Sequence, residues 1–242
     1  MNSPHEDLVD TVEMYLRTVY ECEEEGRVAL RARIGERLGH RAPTVSGTVA
    51  RMVRDGLLVL TASRELRLTD LGRGKAVSVM RKHRLAERFL GDVVGLAWDQ
   101  LHPEASRWQH VISDEAERLI AGLLTPPLLC PHGSPIPGLD ALGIPSDATR
   151  AVPEPQGVRE AELLPLSYAA LSSAAVQIER IGEVLQRDPP LMRAMERVKV
   201  LPGQRVSVES DGYDVIVHSP GGRLDLRVTT ADHIFVTRLA DT

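Results

Sequence analysis

The chain has 242 residues, and its 29 Lys+Arg against 34 Asp+Glu give a formal charge of −5, which leaves a nucleic-acid partner open because only one face of such a partner's binder must be basic. A content of 43% hydrophobic and 26% charged residues excludes a disordered chain and supplies core for one to three domains, while 3% aromatics argue against a binder that stacks single-stranded bases on exposed rings. No apolar run reaches the ~18 residues of a membrane span and MNSPHEDLVD lacks a basic-then-apolar signal pattern, so the expected location is cytoplasmic without a membrane partner. The two cysteines, Cys22 and Cys130, form no CxxC pair and fit a reducing compartment.

Residues 7–25 read as a helix, with Leu8, Val12, Leu16 and Val19 three or four apart before Gly26 stops the pattern; Met14 lies off the centre of that stripe. A second helix fits Leu30 to Leu38, and a third starts near Pro43, a favourable first-turn residue, with the stripe Val45, Val49, Met52 and Val53. LLVLT and ELRLT then alternate around Ala62-Ser63-Arg64 as a hairpin. This order predicts a winged helix-turn-helix.

Thr69-Asp70 can cap a long helix to about Leu90, and one or two further helices carry the chain to about Leu124. Long helices behind such a head suit dimerisation. Eight prolines between Pro126 and Pro155 predict a linker with extended, polyproline-like stretches. Beyond 160, RVSVES, YDVIVHS, LDLRV and HIFVTRL alternate between Pro-Gly, Asp-Gly and Gly-Gly turns, which predicts a small β-barrel with one helical turn near Pro190 to Val198.

Arg31, Arg33, Arg37, Arg41, Arg51 and Arg54, with Arg64 on the hairpin, are basic where a duplex backbone would need charge. Small residues at Pro43, Thr44, Ser46 and Gly47 would let the third helix start close to base edges. His83 and Glu87 stand four apart on one helix, and His102, Ser106, Gln109 and His110 fall on one stripe of another. Imidazole and carboxylate so spaced suit a first-row divalent metal, although helical His/Glu pairs are common without one. Glu183 and Gln186 carry no signal by themselves. No phosphate loop, dinucleotide fingerprint, HExxH or GxSxG is present, so an enzyme is not expected.

VDTVEMYLRTVYECEEEG, the LRARIGERL to RDGLL segment, MRKHRLAERFL, HPEASRWQHVIS and SPIPGL together closely resemble the diphtheria toxin repressor family, specifically its actinobacterial iron-dependent regulators, over roughly residues 7–140 and more loosely beyond. The resemblance implies a multidomain, mainly α protein with β. Its parts would be a winged-helix head at 1–74, a helical dimerisation and metal-binding domain at 75–140, a proline-rich linker at 141–160 that docks on its own SH3-like domain, and that domain at 161–242. It implies a homodimeric, metal-activated repressor on a palindromic double-stranded operator, read by one or two dimers. The metal implied is Fe(II), with Mn, Co, Ni or Zn as substitutes.

Carried over by position, an ancillary metal site maps on His83, Glu87, His102, Glu183 and Gln186, all of the expected residue type. The primary, activating site maps on Met14, Ser106, Gln109 and His110, and departs from the family, which has cysteine where this chain has Ser106 and glutamate where it has Gln109. Both changes remove an anionic donor, leaving a set poorly matched to a divalent ion. In the head, Arg31, Arg33, Thr44, Ser46, Arg51, Arg54 and Arg64 match backbone-holding positions and Pro43 a position that touches a thymine methyl. Arg41 replaces a serine and Gly47 a base-reading glutamine, so the operator is expected to differ. Two other readings remain at this point: a metal-independent or differently triggered paralogue, and, remotely, a metallohydrolase.

Overall fold

The computed structural model describes residues 4–126, 128–145 and 163–239, with side chains from residue 10 onward. The chain divides into two compact units, Met1–His83 with Gln109–Ile112, and Arg84–Trp108 with Ser113–Thr242.

In the first unit, α1 (Pro4–Glu24) buries Tyr15, Leu16, Val19 and Cys22. Helix α2 (Arg31–Leu38) stops at Gly39, whose φ of 67° is the left-handed conformation that lets its amide reach back to the last carbonyls. Helix α3 (Ala42–Arg54) has Pro43 in its first turn. Its stripe is narrower than the sequence suggests, because Val45, Val49 and Met52 are buried while Val53, about 100° further round, is exposed. Strands β1 (Leu58–Leu60) and β2 (Leu66–Leu68) pair antiparallel with Leu58 opposite Leu68, and Arg64 takes a positive φ at the tip. Ile34, Leu58 and Leu66 complete one core with α1 and α3, each side chain contributing ~1.5–3 kcal/mol by leaving water. Thr69 caps α4 (Asp70–Phe89), its Oγ1 accepting from the Gly72 amide at 3.0 Å. Gly72 itself is required: a Cβ there would stand 2.0 Å from the Leu57 carbonyl oxygen.

In the second unit the last turns of α4 run into a π-helical turn at Leu90–Val94, followed by α5 (Trp98–Trp108) and α6 (Asp114–Leu123), which Ser113 caps. The described part of the proline-rich stretch Pro126–Pro155 packs instead of running extended. Leu128, Ile136 and Leu139 are buried in a cluster with Leu85, Ala121 and Leu124, and a 3-10 turn forms at Leu139–Leu142. The prolines there separate apolar residues that pack, so composition alone misreads that part; residues 146–155 of the stretch, and 146–160 of the linker expected at 141–160, lie outside the described residues.

Beyond it stands an antiparallel six-stranded sheet, in the order β3 (Leu164–Pro165), β8 (Ile234–Arg238), β4 (Ala174–Ile181), β5 (Arg205–Ser210), β6 (Asp214–Ser219) and β7 (Gly222–Arg227). This is the SH3-like part, closed over Val176, Ile178, Val206, Val215 and Val236, with α7 (Leu166–Ala170) and α10 (Val228–Ala231) at its ends. Two helices follow β4: α8 (Glu183–Gln186) and α9 (Pro189–Arg197). The latter is longer than the single expected turn, since the Asp188 carboxylate caps it and Met192 and Met195 anchor it in the core. Helix α9 packs on α5.

Candidate metal centre and nucleic-acid interface

The exposed side of α3 carries Arg41 just before it, then Pro43, Thr44, Ser46, Gly47 and Arg54, while Arg31, Arg33 and Arg51 are half-buried and Arg64 stands exposed on the hairpin. A Cβ on Gly47 would meet nothing within 4 Å, so this position lies open. Arg33 donates to the Val28 carbonyl. Arg37 is no part of this face: it bonds Glu25 at 2.6 Å and lies 3.7 Å from Glu21, an internal pairing that one-dimensional charge counting does not see.

Of the expected primary set, Met14, Gln109 and His110 come together in the first unit; Ser106, half-buried on α5, belongs to the second. Gln109 is buried, and its Oε1 accepts from Arg17 Nη1 at 2.7 Å. That contact orients the amide, so that Nε2 donates to Met14 Sδ at 3.2 Å and to His110 Nε2 at 2.8 Å. His110 therefore carries its proton on Nδ1 and donates it to Glu13 Oε2 at 2.5 Å, with Asp10 at 3.7 Å. Arg17 is anchored in turn by Glu21 at 2.8 Å and lies against His83, Nη1 to Nδ1 3.1 Å. The sulfur and imidazole lone pairs that a metal ion would take already accept from the Gln109 amide. Met14, Gln109 and His110 do not fit a divalent ion at that point. Asp10, Glu13 and His110 do form an acid-imidazole group, and sequence reasoning passed over the two acids because they sit on an ordinary acidic helix face.

Of the expected ancillary set, Glu87, His102, Glu183 and Gln186 come together, buried, in the second unit; His83 is counted with the first. Helix α4 supplies Glu87, α5 supplies His102, and α8 supplies the other two. Gln186 Nε2 donates to the Ile181 carbonyl at 2.8 Å, which turns its Oε1 towards His102 Nδ1 at 3.0 Å. Glu87 Oε1 lies 3.3 Å and Glu183 Oε2 3.6 Å from the same nitrogen. Arg84 bonds Glu183 Oε1 at 2.9 Å and the Pro135 carbonyl at 2.7 Å, so one carboxylate oxygen is held while the other faces His102. Two carboxylates, an imidazole and an amide oxygen are a donor set that fits a divalent cation and would offset its dehydration.

Two more buried side chains reach this place unforeseen, Cys130 and His132; with Glu87 they form a second group of ligand type. The signal was present as the short spacing Cys130-Pro131-His132, but it lay inside the stretch read as linker. Burial pushes the Cys130 thiol well up from its ordinary value, and burial pushes the Cys22 thiol up to about 11.

An iron dependent repressor N-terminal DNA-binding domain model matches residues 7–66, and an iron dependent repressor metal-binding and dimerisation domain model matches residues 69–138. The iron-dependent repressor IdeR of Mycobacterium tuberculosis is 48% identical over 217 residues, 89% of this chain and 91% of that protein. The diphtheria toxin repressor of Corynebacterium diphtheriae is 46% identical over 214 residues, 88% of this chain and 91% of that protein. A solved manganese-dependent transcriptional repressor in complex with manganese superposes with a TM-score of 0.71 at 27% identity, covering 94% of this chain and 100% of that one. These relatives are named as repressors, not as enzymes.

Proposed function

This chain belongs to the iron-dependent repressor family, as a metal-dependent, DNA-binding transcriptional repressor, and we propose that it senses its metal through the buried donors of the second unit while a hydrogen-bonded chain of side chains stands in for the primary site. The convergence of Glu87, His102, Glu183 and Gln186 from three separate helices carries this reading. The sequence assigns the same role to His83, one turn before Glu87 on α4. When bound, the ion supplies the positive charge that draws the two carboxylates together. Arg84 holds Glu183 in place, and the Ile181 carbonyl fixes the Gln186 amide. Because ligands come from helices far apart in sequence, metal affinity becomes a coupling energy between those segments.

Fe(II) is the proposed physiological ion, with Mn(II), Co(II), Ni(II) or Zn(II) as substitutes. The proposed DNA partner is a palindromic duplex bound by a homodimer, with α3 entering the major groove and Arg31, Arg33, Arg41, Arg51, Arg54 and Arg64 on the backbone. The partition proposed is a head at 1–74, a dimerisation domain at 75–140, a linker at 141–160 and an SH3-like domain at 161–242.

Calorimetry with Fe(II) or Mn(II), run beside operator binding with metal and with chelator, tests the reading. The expected result is an ion bound at the second-unit donors, lost in His102→Ala, with DNA affinity that still rises on metal addition. Two tightly bound ions per subunit, one of them removed by His110→Ala and required for DNA binding, would overturn the replacement of the primary site. DNA affinity indifferent to both metal and chelator would favour a metal-independent repressor, a state that the Gln109 hydrogen bonds could hold without an ion.

A further inference from the structure

The ring of Tyr15 is buried in the core of the first unit, in one cluster with Leu16, Val19, Ile34, Val45 and Val49. Its oxygen lies 2.9 Å from His40 Nδ1, and the Thr48 side chain hydrogen-bonds it as well. Burial pushes the phenol up from its ordinary value, so it keeps its proton near neutral pH and donates it to His40 Nδ1, while the Thr48 hydroxyl donates to the phenol oxygen. His40 stands in the turn between α2 and α3, directly after Gly39, and Thr48 stands in the middle of α3. One oxygen on α1 therefore ties both the turn and the helix that follows it.

Helix α3 has little else that is directional to hold it. Arg41 takes its N-cap position and makes no side-chain hydrogen bond to the first turn, so the polar lock that fixes many helix starts is missing. The stripe Val45, Val49 and Met52 packs α3 against the core, but apolar contact is non-directional and sets the rotation of the helix about its own axis only loosely. Thr48 lies at the border of that stripe, next to Val49 and one turn after the exposed Thr44. A hydrogen bond there sets the rotation. The turn is held close at the same time: the His40 amide donates to the Gly35 carbonyl at 2.9 Å, and a Cβ on Gly35 would stand 3.0 Å from the His40 carbonyl oxygen.

We propose that Tyr15 is a positioning residue for base reading: through His40 and Thr48 its phenol sets the rotation of α3 and aims Pro43, Thr44, Ser46 and Gly47 at base edges, without touching DNA itself. This rests on the reading of α3 as the helix that enters the major groove. Long arginine side chains can follow a small rotation of α3 and keep their phosphates, whereas short side chains at base edges cannot. Losing the tie therefore costs discrimination between sequences and leaves the general attraction to duplex DNA in place. Tyr15 directly follows Met14, so the helix that carries the Gln109 hydrogen bonds is also the one that aims α3.

The test uses the full chain at a fixed Mn(II) concentration and two duplexes of equal length, one selected by the natural chain from a randomised pool and one scrambled. Tyr15→Phe keeps the ring and removes the oxygen. Its affinity for the selected duplex should fall about tenfold, the loss of two hydrogen bonds, while affinity for the scrambled duplex stays unchanged. Thr48→Val should lose part of the same discrimination and Thr48→Ser should retain it. The double change Tyr15→Phe with Thr48→Val should be no worse than Tyr15→Phe, because both remove one tie. If Tyr15→Phe does not fold, Thr48→Val against Thr48→Ser decides the matter. Full discrimination in Tyr15→Phe, or an equal loss on both duplexes, would overturn the positioning role alone. A natural chain that selects no sequence from the pool would overturn the reading of α3 and this role with it.

Discussion

Arg17 donates to the side-chain carbonyl of Gln109 at 2.7 Å, and this one hydrogen bond fixes which end of the amide faces Met14 and His110. A buried guanidinium is worth ~1.5–3 kcal/mol to such an acceptor, enough to hold the amide against rotation. A glutamate in this position would present two acceptors. Its carboxylate could serve Arg17 with one oxygen and an ion with the other, which an amide cannot do.

The double change Ser106→Cys with Gln109→Glu is therefore expected to supply two anionic donors beside Met14 and His110 and with them tight divalent binding. Calorimetry should show one additional equivalent, and the metal dependence of operator binding should steepen by at least about tenfold, or ~1.4 kcal/mol. An unchanged stoichiometry would show that the hydrogen-bonded chain is not what excludes the ion.

Arg51→Ala should weaken operator binding and lower the slope of log affinity against log salt by about one, the signature of one lost phosphate contact. Arg37→Ala provides the contrast. Its guanidinium is paired with Glu25, so the expected loss is in thermal stability, with the salt slope unmoved.

Gly47→Gln places an amide on the open side of α3, where a new Cβ meets nothing. Helix stability should hold or rise, by up to ~1 kcal/mol, since glycine is unfavourable in a helix interior. The operator preference should shift at one base pair in each half-site, measurable by binding to a set of singly substituted duplexes. Identical preference before and after would remove Gly47 from the base-reading surface.

Asp99 on α5 accepts from Arg193 on α9 at 2.5 Å and from Gln100 at 2.7 Å. Burial alone would raise its carboxyl, but these hydrogen bonds and the Arg193 charge hold it below the ordinary carboxylate range. A depressed carboxylate contributes stability above its unfolded value of ~3.9 and loses it as pH falls through the folded one. Half of Arg193 is in solvent, so the contribution is about 1 kcal/mol or less. Thermal melts of Asp99→Asn should be lower than those of the natural chain at pH 7 and converge on them in acid; a constant difference across pH would deny the pairing.

Sequence alone determined the order of the parts. Val45, Val49 and Met52 repeat with the helical period, the alternation of LLVLT and ELRLT is that of strands, and Gly39 and Thr69 mark helix ends by local chemistry that needs no distant partner. The ligand types at Glu87, His102, Glu183 and Gln186 were legible through family resemblance, and their convergence is what the fold added. Only tertiary structure could decide the rest. Whether Arg37 faces solvent or Glu25, whether the prolines after Pro126 string out or pack Ile136 into a core, and whether Gln109 receives an ion or Arg17 all depend on what folding brings alongside. The same holds for Cys130 and His132, two residues apart in a stretch that composition marks as unstructured, which reach Glu87 because a glycine of positive φ turns the chain back beneath Glu179. Local periodicity encodes which face of an element is apolar; it holds no record of which charge or lone pair will meet it across the core.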